Sequence, residues 1–408
     1  MSTTRRRFLT VSLGSSAVVS LTPRVPGFLL EAAAREENEK QGENVLVVVQ
    51  LSGGNDGLNT VVPYADDAYG RNRFTLRIGE GRVRKIDDYV GFHPAMEGFA
   101  KLLEDEKLAV VQGVGYENPN RSHFESMDIW HTARRKDQPR RVGWLGASLD
   151  AAVKVGPDVP AMHLGEGKQP LALASLKVNV PSIRSLESFR LRGGKDRELI
   201  RTIEQALAPK RDANNDLLQF LHGSASAALA SSRRIQEVLG RGKTAVKYPA
   251  TKLAGKLRDV AQLIDADLGT RVYYVTLGGF DTHSEQNNTH AALLGELSGA
   301  IAAFSEDLRS RGHDRRVLTL AFSEFGRRLR ENASGGTDHG AAAPVFLVGS
   351  RVKAGLVGRH PSLTDLTSGD LKYHTDFRRV YATVLENWLG WPSAKVLGGQ
   401  YKPLDVLV

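Results

Sequence analysis

Acidic and histidine side chains follow directly after short apolar runs of this chain. They are Asp56 after Val45–Leu51, Asp281 and His283 after Val272–Leu277, and Glu324 after Val317–Phe322. Each run is rich in Val, Leu or Tyr and ends in Gly or a polar residue, which is typical of a strand buried on both faces. The carboxyl ends of strands in an open parallel sheet line the ligand crevice. Because carboxylates and imidazoles bind divalent metals, the sequence predicts a metal site there.

A further acid–histidine pair, Asp338 and His339, lies in the segment GTDHG and is followed by three alanines that leave space beside a site. In GGFDTH, Asp281 and His283 are two residues apart, so an extended loop points both side chains to one side. An aspartate and a histidine just past a buried strand favour a functional role.

Two of these carboxylates also have structural interpretations. Asp56 lies in GGNDGLN, where Asn and Asp can cap the backbone of a turn. Glu324 is costly to bury unless it is bound to a cation, and Arg327 or Arg328 is near enough in sequence to pair with it. Both interpretations stay open.

Ser122, in the segment NRSHFES, is the candidate hydroxyl nucleophile, with Arg121 available to bind an oxyanion. A neighbouring metal ionises such a hydroxyl without a histidine base. Alternatively, Ser122 is a helix N-cap, and Glu125 completes a capping box. The two roles are compatible, because a nucleophile at a helix start gains from the helix dipole.

Strands and helices alternate in the C-terminal half, which favours a doubly wound α/β fold. Residues 45–408 are predicted to form this domain, with a mainly helical insertion at 186–245. The predicted elements, besides the runs above, are strands Leu108–Gly113 and Pro344–Val348, helices at 94–107 and 251–267, a helix ending near Gly312, and a last helix capped by Thr375 or Asp376.

The first 34 residues have the pattern of a twin-arginine export leader, with Arg5, Arg6 and Arg7 ahead of a mildly apolar run. A polar linker follows at residues 35–44. The leader predicts a periplasmic or secreted protein that uses the twin-arginine export machinery. Beyond it, no apolar stretch approaches the roughly 20 residues of a membrane span.

Composition excludes several classes of function. The chain has 408 residues, a formal net charge of +9 and no cysteine. The absence of cysteine excludes disulfides, thiolate metal sites and a cysteine nucleophile. The basic runs are short and lack interleaved aromatic residues, so we expect no nucleic-acid partner.

Six segments, taken in order, resemble a bacterial family of exported proteins of unknown function: GGNDGLNTVVPY, NPNRSHFESMDIW, GGFDTH, SEFGRR, GTDHGAAAP and DFRRVYATVLENWLG. The resemblance covers nearly the whole chain after the linker. That family is placed among the alkaline-phosphatase-like proteins, with sulfatases and cofactor-independent phosphoglycerate mutases as distant relatives. The resemblance implies a central, mostly parallel sheet between helices and a two-metal site at the strand ends.

The resemblance also implies roles for individual residues. Asp56 fits the acidic metal ligand after the first strand, and Ser122 fits the nucleophile. Asp281 and His283 fit the Asp and His that bind one metal, although the superfamily often spaces such a pair further apart.

Two registers compete for the remaining ligands. If Asp338-His339-Gly340 is the usual Asp-His-Gly motif, the last histidine ligand is His360 or His374. If Ser323-Glu324-Phe325-Gly326 replaces Ser-Asp-His-Gly, His339 is that last histidine. We prefer the second register, because the strand Val317–Phe322 leads directly into it. Phe325 then stands where a histidine is expected, so that one of two metals is weak or missing.

The leading hypothesis is an exported metal-dependent hydrolase that acts on a phosphate or sulfate ester, of a small molecule or a polymer. The metal is Zn, Mg, Mn or Ca; Ser122 attacks and Arg121 steadies the transferred group. Its ligands are drawn from Asp56, Asp281, His283, Glu324, Asp338 and His339. A second hypothesis is a non-catalytic exported binding or assembly protein with a partial metal site. A third, an ester hydrolase in which Ser122 acts through a histidine, lacks the Gly-x-Ser-x-Gly elbow.

Overall fold

A computed structural model describes residues 43–152, 159–186, 244–267 and 269–408 of the chain. The predicted leader at 1–34, most of the linker and nearly all of the predicted insertion at 186–245 lie outside the described residues. The described residues from Asn44 to Val408 form one compact unit. Across the part of the chain that is described, none of the helices has the length and apolar character needed to cross a membrane.

The unit is built of alternating strands and helices. The strands are β1 Val45–Ser52, β2 Val61–Val62, β3 Arg84–Lys85, β4 Gly91–Phe92, β5 Leu108–Gly115, β6 Ala161–Leu164, β7 Ser182–Ile183, β8 Val272–Gly278, β9 Val317–Ser323, β10 Arg327–Glu331, β11 Thr337–His339, β12 Ala343–Val348, β13 Gly355–Val357, β14 Leu366–Thr367, β15 Asp370–Leu371 and β16 Thr375–Asp376. The helices are α1 Asp67–Asn72, α2 Glu97–Glu104, α3 His123–Thr132, α4 Trp144–Ala152, α5 Lys252–Asp265, α6 Gln286–Ser310, α7 Phe377–Ala382 and α8 Ala394–Leu397, with a π-helical stretch at Thr383–Leu389 continuing α7.

The main sheet has the strand order β13-β5-β12-β9-β1-β8-β6-β7, with β16 pairing to β5. β1 pairs in parallel with both β8 and β9, and β6, β7, β13 and β16 also join through parallel pairs. β12 is antiparallel to its two neighbours, β5 and β9. The predicted fold class, an α/β fold with a mostly parallel central sheet flanked by helices, is confirmed.

Helices cover both faces of this sheet. On one face Val47 and Val49 of β1 belong to a core shared with α2, α5 and α6. On the other face Leu46 and Val48 belong to a core shared with α3, α4 and α7. Since both faces are buried, the first five residues of β1, Val45 to Val49, are all apolar rather than alternating, and Gln50 is the first polar residue of the strand.

The predicted elements recur with small shifts at their ends. Strands β5, β8 and β9 extend one or two residues beyond their predicted ends. The helix predicted at 94–107 is shorter, because α2 spans Glu97–Glu104. Thr251 and Asp376 are N-caps whose side chains accept hydrogen bonds from backbone N–H groups of α5 and α7.

Candidate metal centre

Most of the predicted site residues lie in segments that follow the carboxyl ends of neighbouring strands. β1 is paired in register with β8 and β9, so Ser52 lies opposite Gly278, and Leu51 lies opposite Ser323. The segments that follow these strands therefore emerge side by side, as the carboxyl ends of parallel strands do. β5 runs in the same direction, and its exit loop leads to the start of α3 at His123.

Two imidazoles and a carboxylate converge at this edge. Ligand atoms of His123, Asp281 and His339 all lie within 4.8 Å of one another. His339 Nε2 is 3.1 Å from Asp281 Oδ1, and His123 Nε2 is 3.4 Å from Asp281 Oδ2. His123 begins α3, Asp281 follows β8, and His339 ends β11, so three segments distant in sequence supply the group.

His283 extends this group to four side chains, His123, Asp281, His283 and His339, which we call the His–Asp cluster. His283 Nε2 lies 2.9 Å from His339 Nε2 and 3.2 Å from Asp281 Oδ1. Its other ring nitrogen, Nδ1, is 3.4 Å from Asp338 Oδ1. Asp338 thus stands beyond His283, against its far side. Two imidazole nitrogens that face each other at this distance require a shared proton or a shared cation.

His123 is the member of the cluster that the sequence did not predict. Its Nδ1 is 3.0 Å from Glu324 Oε1, and because an ionised carboxylate only accepts, Nδ1 is the donor. Its Nε2 is buried and makes no hydrogen bond within the described residues. The hydrogen bond to Glu324 raises the pKa of His123. The signal available in the sequence was its position, immediately after Ser122 at a helix start.

Glu324, a predicted ligand, lies behind His123 in the structure. Its side chain is 1% exposed. Besides facing His123, it accepts hydrogen bonds from Gly53 N at 2.8 Å and from Ser323 Oγ at 3.0 Å. Both oxygens are therefore engaged by the protein, in the arrangement by which a carboxylate orients a metal-binding imidazole.

Asp56, another predicted ligand, lies apart from the cluster in a buried ion pair. Its Oδ2 is 2.5 Å from Arg73 Nη1 and its Oδ1 is 3.0 Å from Arg73 Nη2, with both side chains fully buried. Gln286 Nε2 also donates to Oδ2, at 2.6 Å. Burial by itself raises the pKa of Asp56, but the Arg73 charge and hydrogen bonds outweigh it and lower the pKa to about 2. Both carboxylate oxygens are therefore engaged by these donors.

Arg327 fixes the Asp281 carboxylate. Its guanidinium is buried and donates to Asp281 Oδ1 at 2.8 Å and to the carbonyl oxygens of Gly54 and Thr337 at 2.8 and 2.7 Å. Burial raises the pKa of Asp281, but the hydrogen bonds from Arg327 and His339 lower it to about 2. The structural alternative, an ion pair of Glu324 with an arginine, is not what forms: Arg327 pairs with Asp281, and Arg328 Nε lies 3.5 Å from Asp370 Oδ1.

Phe325 forms the floor of the cluster. Its ring centroid lies 5.0 Å from that of His123 and 4.6 Å from that of His339. Gly54 lies on the other side of the ring with φ +81°, and a Cβ built there would be 2.3 Å from Phe325 Cε2. The glycine is thus required both by its backbone conformation and by the aromatic ring.

Arg121 and Ser122 directly precede His123 in the sequence. Ser122 is exposed and is the N-cap residue of α3, yet its side chain makes no capping hydrogen bond. The predicted capping box does not form, because Glu125 pairs with Arg140 at 2.6 Å. Arg121 directs its guanidinium to Asp370 Oδ2, at 2.6 and 2.9 Å, while its carbonyl oxygen lies 2.7 Å from His339 Nδ1.

His360 and His374, the ligands required by the first sequence register, lie outside the cluster. His360 Nδ1 lies 2.9 Å from the carbonyl oxygen of Pro361, and the ring of His374 packs on Gly113 of β5. His339, the ligand required by the second register, lies within the cluster. The geometry therefore favours the second register.

An open cavity of about 610 Å³ borders the cluster at Arg121. Its walls come from the loop after β5, from Ala341, and from the β14–β15 pair with the residues that follow it. They comprise Asn118, Pro119, Asn120, Arg121, Ala341, Thr367, Ser368, Asp370, Leu371, Lys372 and Tyr373. The carbonyl oxygen of Arg121 contacts His339 Nδ1, and Arg121 also lines the cavity. The cavity therefore lies next to the His–Asp cluster at Arg121.

The sequence profile of one protein family, "Protein of unknown function (DUF1501)", matches residues 43–390. The chain belongs to this family. The match spans both the cluster and the sheet that carries it, and it confirms the family membership expected from the motifs. Among curated protein sequences, none matches this DUF1501 chain.

Solved structures similar to this DUF1501 protein include sulfatases and members of the alkaline phosphatase superfamily. A sulfatase from Pseudoalteromonas sp. has 12% sequence identity and a TM-score of 0.40, with 94% of this chain and 75% of that chain covered. A protein in the alkaline phosphatase superfamily from Vibrio parahaemolyticus has 8% identity and a TM-score of 0.41, with 89% and 71% covered. The C-terminal periplasmic domain of EcEptC from Escherichia coli has 11% identity and a TM-score of 0.40, with 88% and 85% covered.

Proposed function

We propose that this protein is an exported metal-dependent hydrolase of phosphate or sulfate esters whose metal is held by the His–Asp cluster. One observation carries the proposal. His283 Nε2, His339 Nε2 and Asp281 Oδ1 lie 2.9 to 3.2 Å from one another. Three ligand atoms gathered this tightly, from the loop after β8 and from β11, are arranged as they would be around one cation.

The spacing and chemistry of the cluster fit zinc. Ligands about 2.0–2.1 Å from Zn²⁺ in a tetrahedron are separated by roughly 3.3 Å, close to the distances in the cluster. Imidazole nitrogen with one carboxylate favours Zn²⁺ over Mg²⁺ and Ca²⁺, which prefer oxygen ligands. The buried Nε2 of His123, which makes no hydrogen bond within the described residues and lies 3.4 Å from Asp281 Oδ2, supplies a further ligand atom.

The chain's own residues then have distinct roles. When bound, the metal would polarise the ester group and neutralise charge that develops on it. The Ser122 hydroxyl, exposed at the N-terminus of α3, is the nucleophile, and the α3 dipole favours its ionised form. The cavity bordered by Arg121 receives the remainder of the substrate.

A second candidate function, a non-catalytic exported binding protein with one metal, is favoured by two contacts. Asp56 is tied to Arg73, and Phe325 fills the floor beneath His123 and His339. Among the described residues, one group of three or more acidic or histidine side chains has metal-binding spacing. That is one centre rather than the two that the resemblance implied.

Elemental analysis and an ester screen test the proposal. The purified protein is expected to contain about one Zn per chain and to hydrolyse nitrophenyl phosphate, a phosphodiester or nitrophenyl sulfate. His339→Gln should lose the metal, whereas the control His313→Gln, a partly buried residue paired with Asp265, should retain it. Bound metal without turnover on any ester would favour the binding protein, and absence of bound metal in the wild type would refute both.

Export by the twin-arginine route is part of the same proposal. It rests on the sequence pattern at Arg5, Arg6 and Arg7. Cell fractionation of the full-length chain should recover it outside the cytoplasm, and substituting the leader arginines by lysine should retain it inside. Recovery of the lysine variant outside the cytoplasm would contradict this route.

A further inference from the structure

Gln286, a fully buried residue at the start of α6, contacts both loops that carry the His–Asp cluster. Its Oε1 accepts hydrogen bonds from Thr282 Oγ1 at 3.1 Å and from Thr337 Oγ1 at 2.6 Å. Thr282 lies between Asp281 and His283, and Thr337 is two residues before His339. One amide oxygen therefore connects the segments that supply three of the four cluster residues.

Asp56 determines which way the Gln286 amide faces. The carboxylate is ionised well below neutral pH and can only accept, so the group 2.6 Å from its Oδ2 must be the Gln286 NH₂. The amide oxygen is then forced toward the two threonine hydroxyls, which donate to it. The reverse orientation would place two oxygens against each other in a buried site, at the cost of a lost charge-assisted hydrogen bond.

Arg73 extends the same network to a third segment. It pairs with Asp56 and also donates to the carbonyl oxygens of Leu329 at 2.6 Å and Arg328 at 2.8 Å, both in β10. β10 pairs with β11, where Arg327 lies opposite His339. The buried chain Arg73–Asp56–Gln286 thus anchors the loop after β8 and both strands of the β10–β11 pair.

We propose that Gln286, oriented by Asp56, is a positioning residue that holds the two ligand-bearing loops at metal-binding distance. This inference rests on the proposed metal centre and assigns a role to residues that do not touch the metal. A backbone hydrogen bond from Thr337 N to Thr282 O, at 3.1 Å, already joins the loops. We call the two hydrogen bonds from Thr282 Oγ1 and Thr337 Oγ1 to Gln286 Oε1 the Gln286 clamp. The clamp fixes the side chains on either side of that backbone hydrogen bond, so that the two loops cannot rotate about it.

Competition for Zn²⁺ against a chromogenic chelator tests the clamp in the purified full chain. Gln286→Leu, which keeps the approximate volume and removes the amide, is expected to weaken Zn²⁺ affinity about 10- to 100-fold. Thr337→Val removes a single hydroxyl and should weaken it in the same direction, whereas Thr337→Ser should restore affinity. Matched controls are Gln262→Leu, on α5, and Thr319→Val, a buried threonine in β9, and both should bind Zn²⁺ as the wild type does.

Melting of the metal-free proteins separates positioning from stability. If the variants melt earlier but their folded fraction binds Zn²⁺ with wild-type affinity, the clamp is structural only and the inference is overturned. Unchanged affinity in both Gln286→Leu and Thr337→Val overturns it as well. Should Gln286→Leu fail to fold, the Thr337 pair still decides the question. A wild-type chain that binds no Zn²⁺ overturns the proposed function itself, which is a different outcome from a wild type that binds and variants that bind equally.

Discussion

Glu324 accepts a hydrogen bond from His123 across 201 positions of sequence, with 3.0 Å between Oε1 and Nδ1. The carboxylate is buried and itself held by Gly53 N and Ser323 Oγ. His123 therefore keeps its proton on Nδ1 and presents Nε2 to the His–Asp cluster. Glu324, which the sequence predicted as a metal ligand, instead fixes the tautomer of His123, which the sequence did not predict as a site residue.

Substituting Glu324 should weaken metal binding without removing a ligand of the cluster. In Glu324→Gln the amide can present an NH₂ to His123 Nδ1, so the tautomer is no longer fixed. We expect a loss of about 10- to 100-fold in Zn²⁺ affinity, measured by chelator competition. Glu306→Gln, which removes an exposed ion pair with Arg309, is the matched control. Equal affinities of the two variants would show that Glu324 does not act on His123.

Removing the Asp56 carboxylate should destabilise the fold. Asp56→Asn leaves the buried Arg73 charge without a counterion, which costs about 3–5 kcal/mol in the free energy of unfolding. Urea denaturation of metal-free protein at pH 7 measures it. The control Asp67→Asn breaks an exposed pair with Arg71 at 3.9 Å and should change stability by less than about 1 kcal/mol. A small effect at Asp56 would mean that Arg73 finds another partner.

The contribution of Asp56 to the free energy of unfolding should also depend on pH in a defined direction. Its pKa in the folded protein, about 2, lies below the ordinary value of 3.8. A lowered carboxyl pKa stabilises the fold fully above the ordinary value, and the stabilisation is lost as pH falls from 3.8 toward 2. The difference between wild type and Asp56→Asn should therefore shrink over that interval and stay constant above it. A difference that shrinks already between pH 7 and 5 would contradict this assignment.

Buried histidines should make the fold sensitive to milder acid. Burial lowers the pKa of His131 and of His290 from 6.5 to about 4. Below pH 6.5 the unfolded chain takes up protons that the folded chain excludes, so stability is complete above 6.5 and falls toward pH 4. Each histidine contributes a slope of about 1.4 kcal/mol per pH unit. Urea denaturation in EDTA between pH 7 and 5 measures the slope, which His131→Gln should reduce. An unchanged slope would exclude His131 as a contributor.

Gly54 should tolerate no side chain. In Gly54→Ala the new Cβ lies 2.3 Å from the Phe325 ring, and the alanine must adopt the glycine's φ of +81°. The strained backbone costs about 1–3 kcal/mol, and displacement of the ring disturbs His123 and His339, so both the melting temperature and Zn²⁺ affinity should fall. Gly79→Ala is the control, because nothing lies within 4 Å of a Cβ there. Wild-type affinity in Gly54→Ala would show that Phe325 does not support the imidazoles.

Ser122→Ala distinguishes nucleophile from helix cap. Since the Ser122 side chain makes no capping hydrogen bond, the variant should keep the wild-type melting temperature and Zn²⁺ content. Ester turnover should fall by at least about 100-fold if the hydroxyl is the nucleophile. Ser362→Ala, on an exposed loop, serves as the control. Retained turnover would show that Ser122 is not the nucleophile and that water attacks the ester instead.

The strands and the edge at which the site lies were predictable from the sequence. The short Val/Leu-rich runs of β1, β5, β8 and β9 favour a sheet buried on both faces, because their backbone polar groups must pair and their side chains must leave water. Parallel pairing then places the segments after β1, β8 and β9 together. Asp281 and His283 were named on that basis and His339 from the GTDHG segment, and the structure brings the three within hydrogen-bonding distance.

The partners of the remaining acids were decided by tertiary structure. Asp56 and Asp281 both follow a buried strand and both face an arginine, and their sequence contexts do not separate them. Asp56 meets Arg73 because α1 folds back over the turn after β1, whereas Asp281 keeps half of its surface open and faces three imidazoles. Whether a carboxylate forms an internal ion pair or remains available as a ligand depends on which charged group lies within about 4 Å of it and on how exposed it is to water. Packing between distant segments sets those distances, and the local sequence does not encode that packing.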